Sequence, residues 1–126
     1  MWYDKIDRIN FIKQIYKEIP DLINVKIHHI ALKREGEEVS IIFDMPLYPD
    51  NPPTKWDGNN TVSVELSCFV ISEFKLEMKD QYMNGNINIY NHEGKIQIII
   101  DGTVSCSLVA EVVFIQKVTA YINNCI

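Results

Sequence analysis

The sequence predicts an α+β chain that is mainly β: one N-terminal helix packed on an antiparallel sheet of about eight strands, built as a sandwich or half-barrel. Three observations predict it. Apolar residues recur at 3.6-residue spacing only near the start of the chain. From Val25 onward they recur at two-residue spacing, and short turns rich in Gly and Asn separate the runs. Such alternation gives each strand one buried and one solvated face, as antiparallel sheets have.

Ile9, Ile12, Ile15 and Tyr16 make the helical stripe, with Lys13, Gln14 and Lys17 opposite. They predict a helix of about 11–14 residues, capped by Asp4 or Asp7 and stopped by Pro20 near Glu18. Two strand runs, 25–34 and 38–45, then flank Arg34-Glu35-Gly36-Glu37, where Gly36 supplies the positive φ of a tight turn. The first run changes parity between Ile27 and Ile30, so a bulge is expected at His28-His29. Val62 to Val70 alternate, and Phe74, Leu76 and Met78 resume after Ser72-Glu73. Asn84-Gly85, His92-Glu93-Gly94 and Asp101-Gly102 read as turns between further strands. The last run holds one parity from Val104 to Phe114 and is expected to bend or split near Ala110, ending through Tyr121.

With 126 residues, the chain has the length of a single domain, 1–126, and enough core to fold without metals or disulfides. Hydrophobic residues at 47% and charged ones at 23% argue against disorder. Apolar runs stop at four residues, as in Cys68–Ile71, too short for a membrane span. The first residues mix both charge signs and lack a signal peptide's apolar stretch, so a cytoplasmic protein is expected. Twelve basic against 17 acidic residues leave a net charge of −5, which disfavours nucleic-acid binding by a cationic face. Cys68, Cys106 and Cys125 are an odd set without a C-x-x-C pair and read as reduced thiols, Cys125 being idle near the chain end.

Chemistry is hard to find. Adjacent strand residues point to opposite faces, so His28 and His29 do not share a metal ion, and His92 sits in a turn. No G-x-S-x-G elbow or phosphate-cradling glycine loop is present, and each of the five glycines has a turn to explain it. Cys106 lies on the apolar parity of its strand, which opposes thiolate formation. The carboxylate pairs Asp44/Asp50 and Glu73/Glu77 read as solvated strand and loop positions. No enzyme, metal or cofactor is expected.

One stretch stands out. Residues 46–60 hold four of the five prolines and form a loop of about 15 residues, longer than ordinary connections. Within it Trp56 is either a lid on the core or an exposed interface anchor. Asp50, Asn51 and Asp57 around it are placed to cap, turn or contact a partner.

At this loop the chain resembles a bacterial family, immunity protein 50. Phe43-Asp44, then Tyr48-Pro49-Asp50-Asn51-Pro52-Pro53, then Lys55-Trp56 carry the likeness most specifically. Met1-Trp2-Tyr3-Asp4, Ile19-Pro20-Asp21-Leu22, Val25-Lys26-Ile27-His28 and the closing run 115–121 are similar as well. The resemblance implies a small cytoplasmic protein, encoded beside a polymorphic toxin, that neutralises the cognate toxin by binding it. It brings no catalytic residues. An acidic binder is steered best to a basic target, so a cationic nuclease domain suits the charge. The partner-facing residues expected are Glu35, Glu37 and Glu38 at the first hairpin, with Asp50, Asn51, Trp56 and Asp57 in the loop. A small-molecule-binding half-barrel and a structural adaptor remain the alternatives.

Overall fold

The computed structural model describes residues 1–124. Helix α1 (Asn10–Ile15) precedes strands β1 (Val25–Lys33), β2 (Glu38–Asp44), β3 (Thr61–Met78), β4 (Asn84–His92), β5 (Lys95–Gly102) and β6 (Val104–Tyr121). All neighbours pair antiparallel in the order β1-β2-β3-β6-β5-β4, and β4 returns to β1 to close the sheet into a ring. The seam is short, made of the pairs Val25↔Gly85 and Lys26↔Asn84.

Among the described residues six strands replace the expected eight, because β3 and β6 are each 18 residues long. The breaks anticipated at Ser72-Glu73 and Ala110 lie opposite each other, for Ile71 pairs with Ala110. Register shifts between Ile71 and Glu73 there, and Val70 takes φ 58. A bulge adds a residue and turns the strand while the ladder continues, so both strands bend instead of ending. The bend gives the ring two walls. One holds β1, β2, residues 61–69 of β3 and 112–121 of β6; the other holds the remainder of β3 and β6 with β5 and β4. Inward side chains of both walls meet in the core, where Ile41, Phe43, Val64, Leu66, Ile98 and Leu108 are fully buried. Each contributes about 1.5–3 kcal/mol relative to exposure.

The apolar stripe of the helix is buried as expected, at Ile9, Ile12, Ile15 and Tyr16. Its length is not: α1 has 6 residues, and Ile9 precedes it without a side-chain cap. Neither Asp4 nor Asp7 caps it. The Asp4 carboxylate takes the N-terminal ammonium at 2.8 Å, while the Asp7 backbone bonds to Val113 and Ile115 of β6. With Asp7 extended against β6 and Arg8 at φ 62, helical geometry begins only afterwards.

Asn84-Gly85 is not a turn but the start of β4, and the chain reverses before it. The glycine there answers a close approach: a Cβ on Gly102 would lie 2.5 Å from the Gly85 Cα and closer still to the Asn84 carbonyl oxygen. The bulge expected at His28-His29 is present, as register shifts between Ile27 and His29. Gly36 takes φ 95, as its turn requires. Among the described residues no helix is long and apolar enough to cross a membrane.

Candidate functional site

The Pro-rich loop leaves β2 with the Met45 N–H donating to Val62 O at 2.8 Å. It then wraps the end of α1. The Tyr16 hydroxyl donates to Leu47 O at 2.6 Å, and the Asn51 N–H donates to Ile15 O at 3.0 Å. The Lys17 N–H donates to an Asp50 carboxylate oxygen at 3.0 Å. Carbonyls at a helix end have no partner inside the helix, so the loop satisfies groups that α1 leaves open. Burial first, then the Asp50 and Tyr48 oxygens, push the Tyr16 phenol well above its usual range.

A 3-10 turn, Thr54–Trp56, follows. Trp56 is 6% exposed and meets Phe11 edge to face at 5.7 Å. The Tyr48 hydroxyl donates to its carbonyl at 3.3 Å. Trp56 is therefore a lid on the core. Asp50, Asn51 and Asp57 stand exposed around it.

Beneath the loop lies a cluster that sequence reasoning missed. Asp44, read as solvated, is 6% exposed. Its carboxylate bonds the His28 Nε2 at 2.8 Å and accepts the Tyr121 hydroxyl at 2.6 Å. The phenol and the imidazole are themselves 3.3 Å apart. The bulge in β1 aims His28 at this point, and β6 brings Tyr121 from 77 positions away. Only the parity change at His28-His29 signalled part of it, since no local spacing links the three residues. Burial and the Asp44 bond raise the Tyr121 phenol, which donates its proton to that carboxylate in a hydrogen bond. The cluster ties β1, β2 and β6 together. Just outside it, a recess of about 220 Å³ is lined by Asn24, Lys26, Asp44, Tyr48, Asn60 and Asn123.

The first hairpin lies at the other end of β2, some six residues or roughly 20 Å from Asp44. Glu35 and Glu37 are exposed there. Glu38 is not: it is 9% exposed and lies 3.8 Å from Arg34. The expected acidic set thus divides into two groups that the fold holds apart, with Glu38 withdrawn from the surface and Trp56 buried.

The thiols follow their parity. Cys68 and Cys106 are buried, which pushes them up to about 12 and about 11. Cys125 lies outside the described residues. Among the described residues no group of three or more His, Cys, Asp or Glu side chains is arranged to hold a metal ion.

Residues 9–121 match the family model described as immunity protein 50. The chain belongs to that family. The match spans helix, loop and all six strands, so the resemblance carried by the Pro-rich string holds for the whole fold of this immunity protein 50 member. No curated protein matches it. A crystal structure of an uncharacterized protein from Neisseria gonorrhoeae is similar, with a TM-score of 0.52 at 19% identity over 75% of this chain and 92% of that one. At that identity the likeness speaks for the fold alone.

Proposed function

We propose that this immunity protein 50 member neutralises its cognate toxin by binding it through an acidic surface, and that the toxin is a basic nuclease domain. Family membership over residues 9–121 carries the reading. Charge supports the partner class: the net is −5, and Glu35, Glu37, Asp50 and Asp57 form no ion pairs among the described residues. Nucleases bind phosphates and so tend to be basic, and complementary potentials accelerate encounter. A small-molecule site inside the half-barrel would need interior volume, which Ile41, Phe43, Leu66, Ile98 and Leu108 fill.

Co-expression with the toxin encoded beside its gene tests the reading. Growth is expected to recover, and association measured from low to physiological salt is expected to slow as salt rises. Failure to rescue sinks the immunity reading; rescue with salt-independent association removes only the basic partner.

A further inference from the structure

The bend in β3 gives that strand two different halves. Residues 61–69 are paired on both sides, by β2 and β6. The β2 ladder ends at Glu38↔Phe69, so residues 70–78 have β6 on one side and, among the described residues, no strand on the other. In an antiparallel pair, alternate residues turn both N–H and C=O away from their partner. Along residues 70–78 those groups form an open row, a template for another strand.

The side chains on this row are apolar for an edge. Val70 is 55% exposed, Leu76 47% and Met78 64%. Leu76 and Met78 sit opposite the buried Cys106 and Val104, so the inner apolar face of the wall runs out to the edge uncovered. The other parity carries Glu73, Lys75 and Glu77. Lys75 pairs with Glu73 at 3.4 Å, while Glu77 has no ion pair among the described residues.

Two other edges are covered in part, while residues 28–33 of β1 and 88–92 of β4 also pair on one side only among the described residues. The Leu22 carbonyl accepts the Ile87 N–H at 2.9 Å, and the Asn24 N–H donates to the Asn86 side chain at 2.7 Å, where β4 begins. Asp7 bonds to Val113 and Ile115, and the Asn60 N–H to Tyr121 O, along the outer edge of β6.

We propose that residues 70–78 of β3 are the docking edge for the cognate toxin, which adds an extended segment as a further strand. Its inward side chains are apolar, against Leu76 and Met78, and its outward row sets a basic residue opposite Glu77. The edge begins where the first hairpin ends, since Phe69 pairs with Glu38. Glu35 and Glu37 therefore adjoin it, and open backbone and acidic turn make one surface. This deepens the immunity reading and rests on it.

Hydrogen exchange on the full chain, free and bound to the toxin domain encoded beside its gene, tests the proposal. Alternate amides within 70–78 are expected to gain protection on binding, while those of 88–92 in β4 stay unchanged. The pair Leu76→Lys and Met78→Lys, at exposed positions, is expected to weaken binding by roughly 30-fold or more. Asn88→Lys on β4 is expected to leave affinity as it is. Tight binding with 70–78 unprotected overturns the docking edge and leaves immunity standing. No binding by the native chain overturns both.

Discussion

The two ends of β2 carry the two exposed acidic groups, and they are built in opposite ways. At one end the loop 46–60, long and rich in proline, is bonded to α1 through Leu47, Asp50 and Asn51 and pinned by the buried Trp56. At the other, the short turn Arg34–Gly36 puts three successive residues at positive φ: 52, 58 and 95. Its side chains add one contact, Arg34 to Glu38 at 3.8 Å. Length and composition mislead about which end is firm. The long loop is scaffolding because its backbone groups find partners, whereas the short turn is a strained tip that the strands on either side hold out to solvent.

Trp56→Ala breaks the firm end hardest. Removing the lid leaves a void beside Phe11, and an expected loss of about 3–5 kcal/mol is read from urea unfolding midpoints. A loss below about 1 kcal/mol would mean that the loop does not depend on its anchor. Tyr16→Phe acts on the same end through one hydrogen bond. At neutral pH it is expected to cost about 1–2 kcal/mol, by leaving the Leu47 carbonyl without its donor. Its pH dependence sharpens the point. The folded phenol is held above the ordinary value of 10.0, so its contribution is complete below pH 10 and lost as pH rises beyond it, where the unfolded chain releases the proton first. The gap between native chain and Tyr16→Phe should therefore narrow above pH 10. A gap that stays constant would place the phenol in water.

The period-two runs revealed the walls of this ring, and the parity slip at His28-His29 revealed the bulge. Local pattern did not reveal that β3 and β6 continue through their bends. Ser72-Glu73 looks like a strand end because polar residues replace the apolar ones on the inner parity, and a bulge leaves the same trace as a break. The stripe overstates the helix at both ends because it marks burial: the Asp7 bridge to β6 that delays the start is a long-range contact, and Tyr16, buried on the same stripe, is already extended. Asp44 read as solvated because alternation assigns it to the outer face; Tyr121, 77 positions on, is what buries it. At the site, the loop string was legible as a family mark and Trp56 only as an ambiguity. The open edge of β3 was invisible, since a missing neighbour has no sequence signature.

Binding kinetics distinguish the two ends as partner surfaces. Glu35→Gln with Glu37→Gln is expected to slow toxin association several-fold at low salt, because these residues adjoin the docking edge. Asp50→Asn with Asp57→Asn is expected to slow it less, through the net charge alone. The reverse order, measured by stopped flow across a salt series, would move the interface to the loop.

The smallest expected effect concerns the strain at the tip. Glu35 sits at φ 58 and ψ 31, in the left-handed region that Asn tolerates better than Glu. Glu35→Asn removes the carboxylate and eases the backbone; Glu35→Gln removes the carboxylate and keeps the strain. The difference between their folding stabilities isolates the backbone contribution, expected at about 0.5 kcal/mol in favour of Asn. Toxin association should fall equally for both, because the lost charge is the same. Equal stabilities would show that the turn holds no strain at Glu35. Unequal association rates would show that the tip's backbone conformation, and not its charge alone, meets the partner.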